Sequence, residues 1–269
     1  MPRLSIIIVT YNSRGEIDAC LDSLSRTPPA CDYEIVVVDN ASSDGTTTDI
    51  RARWPSARVI DAGGNLGFAA ANNLGIRGST GELVLLLNPD TVVRSGALDT
   101  LVAVLDARPG VAVAGPRLVD ATGRAELSFG RMISPFAEWR QKLLVSGHAR
   151  GAPLISAHVE QLTRVEREVD WVSGACLLVR RVDAEAVGLL DERYFMYTED
   201  VDFCAAIRAR GRAVLFTPRA EVVHLRGRSA SSAPRSTEAA YRSSQIAFYE
   251  KHHPGWVPIL RAYLKIRGR

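Results

Sequence analysis

Four short, almost unbroken apolar runs fill much of the first hundred residues: LSIIIVT (4–10), EIVVVD (34–39), ARVIDA (57–62) and ELVLLLN (82–88). A strand covered on one face alternates apolar and polar residues, whereas a strand covered on both faces is apolar throughout. Between these runs lie segments with apolar residues at helical spacing, over 16–24, 47–54, 68–77 and 96–105. Strand and helix alternating at this interval predict an α/β fold, with a mostly parallel central sheet flanked by helices on both faces. Such sheets bind ligands in the crevice beyond the C-terminal ends of their strands. The residues that follow each run are therefore the ones to inspect.

A length of 269 residues suits a single α/β domain of ordinary globular composition, 46% hydrophobic and 23% charged. A net charge of +3 without a clustered basic patch argues against a nucleic-acid partner. The four cysteines (Cys20, Cys31, Cys176, Cys204) show no CxxC spacing, which fits reduced thiols in a cytosolic protein. No apolar stretch approaches the ~20 residues that span a bilayer, and the first strand opens without a basic leader. The expectation is a cytoplasmic protein, at most peripheral at the inner face of the cell membrane.

Beyond residue 111 the pattern loosens. Strands are expected over 111–117, 171–180, 212–216 and 221–224, and a helix over 200–210. Residues 128–169 mix one helical stretch, 135–145, with Gly, Pro and His, and suit an insertion on the acceptor side. RGRSASSAPRS (226–236) is small, polar and basic, and reads as a loop. Residues 251–269 carry five Lys/Arg and no acid, with Trp256, Leu260, Tyr263 and Leu264 at helical spacing. Two readings stay open for this helix: it packs on the domain with a solvated basic face, or it docks on an anionic membrane.

The strand ends are rich in polar groups. The first run ends in Thr10-Tyr11-Asn12 and the second in Asp39-Asn40, followed by Ser42-Ser43-Asp44-Gly45. The third leads into Gly63-Gly64-Asn65-Leu66-Gly67-Phe68 and then Asn72-Asn73, and the fourth ends in Asn88-Pro89-Asp90. A dinucleotide site needs G-x-G-x-x-G in the first strand-to-helix turn, and 10–15 lacks it; a Walker loop is absent too. Asp39 can accept hydrogen bonds from a base or ribose. Asp90 offers a hard oxygen to Mg²⁺ or Mn²⁺, or serves only as a helix N-terminal acid. Asp44 before Gly45 suits a turn. In Thr198-Glu199-Asp200-Val201-Asp202, one acid can be a helix cap, while three acids beside aromatics suggest a general base with a tuned pKa.

Seven segments, in order, resemble glycosyltransferase family 2: IIIVTYN, VVVDNASSDGT, NLGFAAANNLGI, LLLNPD, WVSGACLLVRR, YFMYTEDVDFCAAIRARG and VVHLRGRS. They cover roughly residues 4–230, and within the family the chain looks most like bacterial rhamnosyltransferases of cell-wall or O-antigen synthesis. The resemblance implies the nucleotide-diphospho-sugar transferase (GT-A) fold in one catalytic domain, 1–230. A nucleotide-binding half (1–117) and an acceptor half (118–230) would be followed by a basic helical extension, 231–269.

It also implies roles. Thr10, Tyr11 and Asn12 line the nucleotide pocket, and Asp39 bonds the base. Asn65, Gly67 and Asn72 sit under the ribose and donor. Asp90 binds the metal with His224, while Asn88 replaces the first acid of the family's Asp-x-Asp signature. Trp171, Gly174 and Ala175 shape the donor and acceptor pocket, and Arg226 or Arg228 assists the leaving group. Asp200, beside Glu199, deprotonates the acceptor hydroxyl in a single inverting displacement. The implied donor is deoxythymidine-diphosphate-rhamnose, with uridine-diphosphate sugars next, and the implied acceptor is a saccharide or polyprenyl-linked glycan. A nucleotidyltransferase or a non-catalytic nucleotide-sugar-binding module are the competing classes. The first would show a glycine- and basic-rich phosphate loop at 10–15, and the second would have little use for so many acids.

Overall fold

The computed structural model describes residues 1–225 and 234–267. Arg226 and Arg228, and with them the expected leaving-group role, lie outside the described residues.

The first half alternates as its hydrophobic pattern requires: β1 (Leu4–Thr10), α1 (Arg14–Arg26), β2 (Tyr33–Asp39), α2 (Thr46–Arg53), β3 (Ala57–Asp61), α3 (Phe68–Arg77), β4 (Leu83–Leu87), β5 (Thr91–Val93) and α4 (Ala97–Ala107). There follow β6 (Val111–Val119), β7 (Phe129–Gly130), α5 (Pro135–Ala149), α6 (Pro153–Leu162), β8 (Arg167–Val169), β9 (Trp171–Val172), β10 (Cys176–Arg180), α7 (Arg181–Ala186), α8 (Glu199–Ala209) and β11 (Ala213–His224). Helices α9 (Pro234–His252) and α10 (Val257–Arg267) close the chain, joined by the 3₁₀ turn Pro254–Trp256.

The nine-stranded sheet has the order β3-β2-β1-β4-β10-β6-β11-β5, with β8 also on β11. Six strands run one way; β5, β8 and β10 run against them. The order reverses between β1 and β4, and this switch point is where an α/β sheet opens its crevice. Register levels the strand ends there, Thr10 lying opposite Asp39 and Ile8 opposite Leu87. Successive β1 residues feed opposite faces. Ile6 and Ile8 join a core under α1 and α4, whereas Ile7 and Val9 join one under α3 and α8. Each such side chain, fully buried, contributes about 1.5–3 kcal/mol, so both faces must stay covered.

The second half departs from its sequence pattern at three places. The expected strand over 171–180 breaks at Ser173–Ala175, which turn out of the sheet to meet α8. The two short strands expected after α8 form one, β11, with a register shift between Thr217 and Glu221. The stretch 128–169 holds a helical hairpin, α5 with α6, whose second helix carries only one buried residue, Val159. That is too little apolar periodicity to be read in advance.

Helix α9 lies against the start of α8: Phe248 and Tyr249 cluster with Tyr194 and Val201, and Leu260 and Leu264 of α10 pack on the same cluster. Buried Asp202 anchors α9, accepting hydrogen bonds from Lys251 Nζ at 2.8 Å and Tyr194 Oη at 3.3 Å, with His252 Nε2 at 2.6 Å. Among the described residues no helix is long and apolar enough to cross a membrane.

Candidate active site

The strand ends are linked into a ring that can be followed bond by bond. After β1, Asn12 Oδ1 accepts from Ser43 N at 2.8 Å and its own N–H donates to Ser42 Oγ at 2.9 Å, locking the first loop to the second. Asp44 accepts from Arg14 N and Thr46 N, so it is the turn residue its Asp-Gly sequence suggests. Asp39 Oδ2 accepts from Ser42 N at 3.2 Å. Asn40 reaches across to the third loop: its Nδ2 donates to Asn65 Oδ1 at 2.9 Å and its Oδ1 accepts from Leu66 N at 2.8 Å.

The third loop in turn carries the segment before α8, because Phe68 N donates to Phe195 O at 2.6 Å. Gly67 makes this approach feasible. Its φ/ψ of 83°/176° is nearly closed to other residues. A Cβ there would lie 2.7 Å from the Phe195 ring and nearer still to its carbonyl oxygen. Gly67→Ala is expected to lower stability by about 3 kcal/mol, read by denaturant unfolding; a loss under 1 kcal/mol would show that this loop contact bears no strain.

At the start of α8 the backbone is strained. Of the five described non-glycine residues with positive φ, four flank the ring: Asn12 (51°), Ala41 (69°), Tyr197 (72°) and Thr198 (64°). Thr198 occupies the cap position, yet its hydroxyl makes no capping bond and is buried without a partner. Thr198 thus takes the N-cap position of α8 without its hydroxyl serving as the cap. Asp200 leaves the helix for the sheet: Gly174 N donates to Oδ2 and Val201 N to Oδ1, each at 2.8 Å. Ala175 O then accepts from Asn88 N at 2.9 Å, which closes the ring at β4.

The two acids at this helix start differ in environment. Burial, then the neighbouring Asp200 charge, push the Glu199 carboxyl well above its ordinary range, and its Oε2 has no partner. Burial also raises Asp200, but bonds from Gly174 and Val201 pull it back. Of two close buried carboxyls, the one holding backbone N–H groups keeps the charge and the other keeps the proton. Of the two, Asp200 is the more readily ionised. A carboxyl raised in the folded state binds a proton that the unfolded chain gives up, so this group's stability is full below its ordinary value of 4.5 and is lost as pH rises toward the folded-state value. Glu199→Gln is therefore expected to melt above the wild type at pH 7 and to lose that advantage near pH 4, as followed by thermal unfolding. An equal difference at both pH values would show that Glu199 is ionised in the fold.

On the far side of β4 the ring meets a second acidic pocket. Pairing of β5 with β11 sets His224 opposite Thr91, and His224 Nε2 lies 3.3 Å from Asp90 Oδ1 while Nδ1 lies 3.1 Å from Glu126 Oε2. Burial disfavours the imidazolium, but bonds to Asp90 and Glu126 outweigh it and push the pKa up to about 9. Among the described residues no three His, Cys, Asp or Glu side chains converge as a complete cation cage. Two do suit a shared one. Adjacent ligands around an octahedral Mg²⁺ or Mn²⁺ with bonds of about 2.1 Å sit roughly 3 Å apart, close to the Asp90–His224 separation. An imidazole whose other nitrogen meets a carboxylate is the usual support for a metal-binding histidine.

The structure thus brings Thr10, Asn12, Asp39, Asn65, Gly67, Asn88, Asp90, Gly174, Ala175, Glu199, Asp200 and His224 around one crevice. Tyr11 sits exposed at its edge. Asn72 is buried with its amide turned back to donate to Phe68 O at 2.9 Å, and Trp171 Nε1 donates to Arg131 O. Buried side-chain atoms without a partner among the described residues include Thr10 Oγ1, Asp39 Oδ1, Asn88 Oδ1, Ser128 Oγ and Glu199 Oε2. Buried polar atoms rarely stay unpaired, and three of these, on Thr10, Asp39 and Asn88, lie at the ends of β1, β2 and β4, where a polar ligand could satisfy them. Asn40 and Glu126 join these residues through their hydrogen bonds. The sequence marks Asn40 as a strand-end polar residue but assigns it no role, whereas Glu126 stands in an irregular stretch and gave no signal.

The fold is shared with solved structures. These include the mannosyltransferase PcManGT from Pyrobaculum calidifontis in complex with GDP-Man and Mn²⁺ (TM-score 0.64, 21% identity, 97% of this chain and 69% of that one). Another is S. aureus TarS 1–349 (TM-score 0.58, 17% identity, 83% of this chain and 60% of that one). What these likenesses show is the shared fold, a mixed α/β (GT-A) domain with a mostly parallel central sheet flanked by helices. The family models described as "Glycosyl transferase family 2" and "Glycosyl transferase family group 2" match residues 5–152 and 83–261. An N-acetylglucosaminyl-diphospho-decaprenol L-rhamnosyltransferase of Mycobacterium tuberculosis is 33% identical over 264 residues, spanning 94% of this chain and 86% of that protein. Rhamnosyltransferase WbbL of Escherichia coli K12 is 25% identical over 239 residues, 81% of this chain and 82% of that protein. The chain belongs to glycosyltransferase family 2.

Proposed function

We propose that this glycosyltransferase moves L-rhamnose from dTDP-rhamnose to a hydroxyl of a polyprenyl-diphosphate-linked saccharide, with inversion at the anomeric carbon and with a divalent metal. The observation that carries the reading is the ring itself, which gathers Asp39, Asp90 and Asp200 at one sheet switch point. The names of the relatives above support the sugar and the lipid-linked acceptor.

In this reading Thr10 and Asp39 bind the base with their unpaired oxygens, while Asn65 and the Gly67 turn support the ribose. Trp171, Gly174 and Ala175 bound the sugar and acceptor. Asp90 and His224 would hold Mg²⁺ or Mn²⁺, with Glu126 fixing the imidazole; the bound ion supplies charge neutralisation for the departing diphosphate. Arg226 and Arg228 are proposed to add positive charge there. Asp200 accepts the proton of the acceptor hydroxyl, whose oxygen attacks the anomeric carbon as the diphosphate leaves from the opposite face. Glu199, carrying its own proton, keeps a second negative charge away from the leaving group. One displacement by an external hydroxyl inverts the centre. Residues 1–230 form the catalytic unit and 231–269 the extension, whose basic helix is a point of contact with the cytoplasmic face of the membrane.

The test is transfer with dTDP-rhamnose against UDP-galactofuranose, UDP-N-acetylglucosamine and UDP-glucose, with N-acetylglucosaminyl-diphospho-polyprenol as acceptor. Product stereochemistry is read by NMR. Turnover only with a UDP-sugar would replace the donor, and a retained configuration would remove the single displacement.

A further inference from the structure

Two helices of this chain turn apolar faces outward. In α5, Phe136 (71% exposed), Trp139 (60%) and Leu143 (49%) fall on one side at positions i, i+3 and i+7, with exposed Arg140 between them. The opposite side carries Glu138, which accepts from Tyr249 Oη at 3.0 Å and Tyr241 Oη at 3.2 Å of α9 and pairs with Lys142 and Gln245. The outward stripe is therefore not a misplaced core face. Helix α10 is apolar on two sides. Leu260 and Leu264 point into the domain, while Ile259 (58%) and Ile266 (75%) point out, together with Trp256 (48%) of the preceding turn. Exposed Arg261 and Lys265 stand among them, so the outer side of α10 mixes apolar and basic side chains.

We propose that the outward stripe of α5 is a membrane-contact surface, which with the outer face of α10 seats the protein on an anionic lipid bilayer. Charge identifies the occupant. Arg131, Arg140 and Arg150 surround the α5 stripe, while Glu138, the one acid over 131–150, is turned inward and pairs with Lys142. Residues 251–269 carry five basic residues and no acid; Lys251 is turned inward to Asp191 and Asp202 and Arg261 pairs with Glu250, while Lys265 stands exposed on α10. Aromatic and aliphatic residues bordered by Lys and Arg match the layering of a lipid interface, apolar below and anionic at the headgroups. A second copy of the chain would bring like charges together across both stripes.

The two surfaces start from one point. His253 Nε2 lies 2.7 Å from Ile133 O, directly before the first turns of both helices. Phe136 and Trp256 are each three residues from that contact, which holds their Cα atoms within about 30 Å. Glu138 and Tyr249 then fix α5 to α9, and α9 is fixed to the start of α8 through Asp202. Helix α5 is thus linked through side-chain bonds and α9 to the helix that carries Asp200. The inference rests on the polyprenyl-linked acceptor only for its purpose; the surface itself stands on exposure and charge.

The experiment uses the full chain with vesicles of phosphatidylcholine, alone or with 30% phosphatidylglycerol, by co-sedimentation. Three proteins are compared: wild type, Phe136→Ser/Trp139→Ser, and Trp256→Ser/Ile259→Ser. The expected results are binding at least tenfold tighter to the anionic vesicles, weakened by salt, and at least a tenfold loss in each double variant. These exposed positions carry no core packing, and unfolding curves check that. A second measurement needs no loss of function: brominated phosphatidylcholine should quench wild-type tryptophan fluorescence more than that of Trp139→Phe. Equal quenching in the two proteins, or wild-type vesicle binding by the α5 variant, overturns the proposal. A dimer in sedimentation velocity that the α5 variant dissociates, without vesicle binding, overturns it in favour of a second copy. Donor binding by calorimetry keeps the two readings apart, since failure to bind any nucleotide sugar would sink the rhamnosyl reading and leave the vesicle result standing.

Discussion

Asp200→Asn is expected to lower sugar transfer by about 10²–10⁴-fold, the range of a general base, while dTDP-rhamnose still binds with wild-type affinity. The reason lies in how the carboxylate is held. Gly174 and Val201 N–H groups fix both oxygens, so the side chain is aimed before substrate arrives. Each oxygen keeps a second lone pair for an incoming hydroxyl. Asparagine preserves the shape and one acceptor, but its amide nitrogen opposes one of those two N–H donors. A stability loss of about 1–3 kcal/mol should accompany the kinetic one. The wild-type acid limb of the pH profile should lie above the ordinary aspartate range, because burial raises this group, and should vanish in the residual activity of the variant. Near-wild-type turnover in the folded variant would remove Asp200 as the base.

The second large effect is expected at Asp90. Asp90→Asn should lose about a hundredfold or more in turnover, the scale of removing one charge-stabilising element from a displacement. Chelation should abolish wild-type activity, with Mn²⁺ or Mg²⁺ restoring it. Asn88 stands where a second carboxylate is expected, so in the proposed reading the metal would depend on Asp90 and His224 more heavily than in a two-acid site. Glu126→Gln gives the more diagnostic readout. It touches no substrate in the proposed reading, yet should weaken Mn²⁺ binding by 10–100-fold through the imidazole it orients, as titrated by calorimetry or electron paramagnetic resonance. Full activity after exhaustive chelation would sink the metal, and unchanged Mn²⁺ affinity in Glu126→Gln would remove that residue's role.

Legibility in the sequence tracked the source of each element's stability. Strand β1 was read to the residue, and β2, β3 and β4 within one or two, because burial on both faces writes an apolar run that nothing else in a soluble chain demands. Helices α6 and α7 and strands β5, β7 and β8 were not read. The three strands are three residues long or shorter, and each of the two helices buries a single side chain. The break at Ser173–Ala175 was hidden for a different reason. The residues on either side are apolar, and the turn exists because Gly174 must reach Asp200, a partner 26 positions away.

The crevice shows the same division. By itself the sequence determined that polar and acidic residues follow four buried strands, since strand ends are where continuous burial stops and solvent or ligand begins. The order of the motifs fixed the family. Only the tertiary structure decided which of those residues meet. Strand register levels Thr10 with Asp39, β5–β11 pairing carries His224 to Asp90, and the Phe195 carbonyl needs the bare Gly67 backbone. Glu126 and Asn40 became site residues in that way, and Glu199 was separated from Asp200 by which of them the backbone N–H groups could reach. Local pattern records what a residue is buried against on average. Pairing and protonation depend on a few ångströms between segments as much as 134 residues apart, as for Asp90 and His224, and no periodicity encodes those.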